Sequence, residues 1–188
     1  MGHPVLRQRG RDLKPDEIQS AGLMHLVEDM VETMRDYGGI GLAAPQIHES
    51  LQLAILDLSS AGDRYPGAAD GEEQERGLLV VINPKITVLD DKEQGFWEGC
   101  LSVPEIRGLV YRPRKVQVDY LDLNAKPQTI VAEGFLATVF QHELDHLAGT
   151  LFVDRLRSEP GKTPIAFLEE YQRYLVPKAD DEVGELAD

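Results

Sequence analysis

Gln141-His142-Glu143-Leu144-Asp145-His146-Leu147-Ala148-Gly149 is the stretch on which the reading of this 188-residue chain turns. No Gly or Pro interrupts residues 135–147, and Gly149 follows as a natural stop, so the run predicts a helix ending at a left-handed residue. Phe135, Val139, His142 and His146 form one stripe of that helix; Leu136, Phe140, Leu144 and Leu147 form a second. A helix apolar on two sides belongs in the centre of a domain. Residues four apart share a face, so the two histidines of H-E-x-x-H can hold one metal ion between them, with Glu143 in reach of a water on it. The pattern has two free positions and arises by chance in many proteins. Paired helical histidines are more often polar core or surface groups than ligands, so support must come from the rest of the chain.

Composition sets the frame. The length suits one domain with a sizeable core. The net charge of −14 disfavours a nucleic-acid backbone or an anionic membrane as the main partner, since both need a basic surface. There is no apolar run that would span a bilayer and no signal peptide, so the cytoplasm is the expected compartment. The single cysteine, Cys100, excludes an internal disulfide and is better suited to a ligand or nucleophile role.

Working outward, residues 1–13 read as short, basic and extended, with His3 exposed. Residues 15–37 read as one helix, with Leu23, Val27, Met30 and Met34 at helical spacing and Gly38-Gly39 as its stop; His25 is a helix-surface or core residue. Gly39-Ile40-Gly41-Leu42-Ala43-Ala44-Pro45-Gln46 is dominated by small residues. Alone it reads as a turn with tight packing; the alternative is a cleft wall offering backbone groups and the Gln46 amide. Residues 51–58 read as a strand, 59–77 as a long surface loop, 78–83 and 85–89 as two strands separated by Pro84, and the residues after 89 as an acidic turn. Val116, Val118 and Tyr120 alternate as a strand with one wet face; Asn124–Pro127 is a turn; residues 129–132 are a further strand. Residues 151–156 read as extended and 164–176 as a C-terminal helix. The pattern indicates an α+β domain: short, mostly antiparallel strands around the H-E-x-x-H helix, with an N-terminal and a C-terminal helix. Residues 1–176 form the domain and 177–188 an acidic, flexible tail.

A hydrolytic metal site needs three protein ligands and an open position. His142 and His146 supply two. The third is Cys100 or a downstream carboxylate, Glu169 or Glu170; Cys100 is the better candidate, being a thiol beside Gly99 in a short extended run.

At these residues the chain closely resembles the peptide deformylases. Three family motifs stand in order: Gly39 to Gln46, Glu98-Gly99-Cys100-Leu101-Ser102, and Gln141 to Leu147. The likeness runs from about Gly2 to Leu156. It implies removal of the formyl group from N-formylmethionyl nascent peptides, releasing formate. It also implies a metal held by Cys100, His142 and His146: Fe²⁺, with Zn²⁺, Ni²⁺ or Co²⁺ able to replace it. Glu143 is then the general base and acid, and Gln46 and the Leu101 N–H face the oxyanion. Ile40 and Gly41 pair with the substrate backbone, Gly99 joins Leu101 along the substrate, and Phe135 and Val139 line the methionine pocket. His48 stands where the family commonly has glycine. The acidic end does not match the basic C-terminal helix by which some bacterial members dock on the ribosome.

Overall fold

The structure is a computed structural model that describes residues 2–58, 77–157 and 164–167. Its frame is one antiparallel sheet of six strands: β1 (Gly41–Ala43), β2 (Leu53–Asp57), β3 (Leu78–Cys100), β4 (Val103–Leu121), β5 (Pro127–Glu133) and β6 (Ile165–Phe167). The order is β1-β2-β3-β4-β5, and β6 pairs with β4 on a side branch. Among the described residues three α-helices accompany it: α1 (Pro15–Ile18), α2 (Ala21–Asp36) and α3 (Gly134–Leu147). The mixed α+β architecture agrees with the sequence reading. Among the described residues no helix is long and apolar enough to cross a membrane.

The strands are fewer and longer than the sequence pattern suggested. Pro84 does not end a strand. The chain passes it inside β3, where the register against β4 shifts between Ile82 and Lys85 and Asn83 takes φ 50. A bulge absorbs a proline that a regular ladder would reject. Asn83 turns this kink to use: its side chain accepts from the Leu13 N–H at 2.9 Å and donates to the Leu13 carbonyl at 2.8 Å. The expected acidic turn after residue 89 is likewise strand, with two further register shifts by Glu93.

The early helix also divides. Ser20 caps α2 by accepting from the Leu23 N–H at 3.2 Å, so residues 15–37 form two helices rather than one. Leu23, Val27, Met30 and Met34 are its buried stripe, as their spacing predicted. Burying each side chain of this size stabilises the fold by about 1.5–3 kcal/mol. His25 is exposed, beside Glu28. Residues 4–7 and 152–155 are single 3₁₀ turns where extended chain was expected. In the first, Pro4 supplies the starting φ and the exposed His3 ring caps the Val5 N–H. In the second, Asp154 accepts from the Leu151 N–H at 2.8 Å and closes the turn. Within the span expected as a C-terminal helix, Ile165–Phe167 is the strand β6; residues 168–176 and the tail lie outside the described residues, as do residues 59–76.

Helix α3 packs across β4, β5 and β1, over the main core cluster that includes Val116, Val118, Leu136 and Phe140. Gly149 ends it at φ 77, as predicted, and a Cβ there would overlap the Arg7–Gln8 backbone. The carbonyl of Leu147 at the helix end accepts from the Gly10 N–H at 2.9 Å and from buried Gln52 Nε2 at 2.8 Å. Orphan carbonyls at this end thereby gain partners, and the frame of the two histidines is fixed.

Candidate active site

The β3–β4 hairpin and α3 bring the two distant motifs together. Cys100 is the last residue of β3 and pairs with Val103 across a two-residue connection formed by Leu101 and Ser102. His142 and His146 lie one turn apart on α3, with ring centroids 5.1 Å apart. The donor atoms of Cys100, His142 and His146 all fall within 4.8 Å of one another, with Cys100 Sγ 3.2 Å from His146 Nε2. One thiol and two imidazoles converging at this range match a three-ligand metal set. The chemistry of the surroundings fits a cation. Cys100 Sγ accepts from Gln46 Nε2 at 3.5 Å and the Ser102 N–H at 3.4 Å, so donors face the sulfur. Buried His146 Nδ1 and Glu143 Oε2 find no hydrogen-bond partner among the described residues. Glu169 and Glu170, the alternative third ligands, lie outside those residues.

Behind the histidines lies a charged layer that the sequence did not disclose. Glu98 Oε2 is 2.7 Å from His142 Nδ1, which leaves Nε2 to face the donor cluster. Arg112 grips the same carboxylate through Nε at 2.6 Å and Nη2 at 3.0 Å. Burial alone would raise the Glu98 carboxyl, but hydrogen bonds from His142 and Arg112 outweigh it and hold Glu98 below the usual carboxylate range. Burial likewise opposes a charge on His142, yet hydrogen bonds with Cys100 and Glu98 lift its proton affinity well above an ordinary histidine. His146 goes the other way: burial, then the charges of His142 and Arg112, push it well down, so it is a neutral imidazole. Burial raises Glu143 to about 7, the nearby Glu98 charge adding to the effect and His142 and Arg112 opposing it.

These groups open onto a cleft of about 420 Å³. Ile40, Gly41, Gln46, Gly99, Leu101, Phe135, Val139 and Glu143 all line it, together with Cys100 and His142; His146 sits behind the wall. The Gln46 amide is oriented by its own loop. Its Oε1 accepts from the Ala43 N–H at 2.8 Å, and its Nε2 points toward Cys100 and Ser102. Ile40 and Gly41 differ in what they offer. The Ile40 carbonyl accepts from the Asp57 N–H at 2.9 Å, and alternation along β1 then directs the Gly41 backbone groups to the open edge. Gly41 has a second constraint: a Cβ there would overlap the Glu143 carboxylate. The small-residue stretch is therefore cleft wall and packing segment at once. His48 takes φ 71, a left-handed conformation that explains why glycine suits this position, and its ring lies 4.2 Å from that of His3.

Sequence reasoning missed Tyr37, Trp97, Thr138, Glu105 and Arg107 of the cleft lining. Arg107 reaches over Gly99, where a Cβ would overlap its guanidinium. The bare glycine before Cys100 was the available signal that something crosses closely there.

Comparison with known proteins agrees with this geometry. The family model described as polypeptide deformylase matches residues 1–161. A peptide deformylase of Leptospira biflexa is 44% identical over 158 residues, covering 84% of this chain and 86% of that protein. A chloroplastic peptide deformylase 1A of Solanum lycopersicum is 40% identical over 165 residues, covering 86% and 60%. Among solved structures, a Met-Ala-Ser-bound class I type b peptide deformylase from Acinetobacter baumannii superposes with a TM-score of 0.75 at 36% identity, covering 83% of this chain and 94% of that one. A peptide deformylase from Synechococcus elongatus in complex with actinonin gives 0.71 at 40% identity, covering 84% and 76%. The convergence of the three motifs in one cleft thus has a family behind it: the chain belongs to the peptide deformylases, metal-dependent hydrolases that remove N-formyl groups from nascent peptides.

Proposed function

We propose that residues 1–176 form the catalytic domain and remove the formyl group from N-terminal formylmethionine through a metal held by Cys100, His142 and His146. The observation that carries the assignment is the convergence of those three donors beside the buried Glu143 Oε2, which has no hydrogen-bond partner among the described residues, on a cleft wall. A divalent cation bound there would supply Lewis-acid activation of a water and of the formyl carbonyl. Fe²⁺ is the proposed native ion, with Zn²⁺, Ni²⁺ or Co²⁺ as substitutes, since one thiolate and two imidazoles suit each of them.

The remaining work falls to the chain. Glu143, held near 7, can take up a proton at Oε2 close to neutral pH and return it to the departing amine. Gln46 Nε2 and the Leu101 N–H donate to the developing oxyanion. The outward backbone groups of Gly41 pair with the extended substrate, with Ile40, Gly99 and Leu101 alongside. Phe135 and Val139, on the stripe that leads to His142, shape the methionine pocket. Substrates are new polypeptides, in the cytoplasm, and the acidic tail argues against direct ribosome docking through a basic C-terminal helix.

The reading is tested with protein prepared without oxygen and loaded with Fe²⁺, on a formyl-Met tripeptide and its acetylated counterpart. Formate release from the first alone is expected. No release with metal demonstrably bound would contradict it, and cleavage of an internal bond would select a peptidase instead.

A further inference from the structure

The charges behind His142 run further than ligand support requires. Arg112 binds Glu98 with two of its nitrogens and turns the third, Nη1, to Asp145 Oδ2 at 2.8 Å. Asp145 in turn accepts from Arg155 Nε at 3.1 Å on Oδ2 and from Arg155 Nη2 at 2.6 Å on Oδ1. Arg112, Glu98 and Asp145 are 4, 6 and 9% exposed, whereas the Arg155 side chain is half exposed, on the 3₁₀ turn after α3. Alternating charges therefore link the surface to the ring of His142 in the order Arg155, Asp145, Arg112, Glu98. Asp145 also sits on α3 between the two histidines, three residues after one and immediately before the other.

We infer that Asp145 and Arg155 are positioning residues for His142, acting through Arg112 and Glu98. The inference rests on the reading of His142 as a metal ligand. The guanidinium of Arg112 is rigid and planar, so anchoring Nη1 on Asp145 sets the angle at which the other two nitrogens present Glu98 to His142. Arg155 holds the Asp145 carboxylate by both oxygens and stops it from rotating away. It also offsets the second negative charge that Arg112 faces, so that Glu98 keeps its share of the Arg112 fork.

The test loads wild type, Arg155→Met, Arg155→Lys and Asp145→Asn with Co²⁺ and follows its absorption spectrum and its release to a chelator. Thermal melting of the metal-free proteins and the kcat and KM for formyl-Met tripeptide are recorded alongside. Removal of a partner behind a ligand typically weakens metal binding about 10–100-fold. Arg155→Met and Asp145→Asn act through Arg112 and Glu98 rather than on His142 itself, so they are expected to release Co²⁺ about 3–10-fold faster, at or below the lower end of that range. Their Co²⁺ bands should shift, with kcat falling and KM held, and Arg155→Lys should recover part of the loss. Unchanged bands and release rates, with only the melting temperature lowered, would overturn the positioning role. A wild type that binds no Co²⁺ would instead remove the metal reading and the inference with it.

Discussion

Helix α2 buries Leu23, Val27, Met30 and Met34 and no charge, whereas α3 buries Glu143, Asp145 and His146 beside its apolar residues. Both helices pack on the same sheet, α2 by the single apolar stripe and α3 by the two that their spacing predicted. The first face stabilises the fold by removing apolar area from water. The second carries groups that cost free energy to bury and that natural interiors retain only when paired or put to use. On α3, Asp145 is paired with two arginines, but Glu143 Oε2 and His146 Nδ1 have no hydrogen-bond partner among the described residues. The contrast teaches where to look for function: the helix whose buried side is worse for stability than it need be.

The largest expected effect lies on α3. Glu143→Gln keeps the shape of the side chain and removes its proton transfer, so kcat for formate release should fall about 10²–10⁴-fold at equal metal content. A variant as fast as wild type would break the comparison at its centre. Gln46→Ala should cost about 10²–10³-fold in kcat if the amide serves the oxyanion, and far less if it only ties the loop at Ala43. On α2 the reverse is expected. Met30→Ala should lower unfolding free energy by about 2–5 kcal/mol in denaturant titration, yet leave kcat/KM and metal content unchanged.

A finer effect concerns the metal-free protein. Burial raises the Glu143 carboxyl from 4.5 to about 7. Between those values the folded chain holds a proton that the unfolded chain has released. Stability of the metal-free protein therefore falls as pH rises across that window and levels off above it. Glu143→Gln removes this slope. It should gain on the order of 3 kcal/mol over the metal-free parent at about pH 8, and match it at about pH 4. Two denaturation series at those pH values decide the matter; a variant less stable at both would mean that the glutamate stabilises the fold.

Much of this was legible in the chain, for physical reasons that can be named. Helix α3 and its stop at Gly149 followed from an uninterrupted run and one residue free to take φ 77. The α2 stripe followed from spacing alone. The strand breaks were misread because Pro84 ordinarily ends a ladder, and only the partner strand β4 reveals that a bulge accommodates it. The charged layer was missed for a different reason. Arg112 lies in the run Arg112-Pro113-Arg114, which looks like an exposed basic strand, and charged side chains are almost never fully buried unless paired. Its partners, Glu98 and Asp145, stand 14 and 33 residues away, and no local pattern joins them. Ile40 and Gly41 looked alike in sequence; the hydrogen bond from the Asp57 N–H to the Ile40 carbonyl distinguishes their backbone groups.

The most direct test of the claim that the buried charge on α3 exists to hold a cation is thermal melting of the metal-free protein with and without Co²⁺ or Zn²⁺, in wild type and in Cys100→Ala. A ligand at about 100 times its Kd stabilises the state that binds it by about 2.7 kcal/mol. The account predicts such a rise in wild type, at one ion per chain, and its loss in Cys100→Ala. An equal rise in both, or none in wild type, would contradict it.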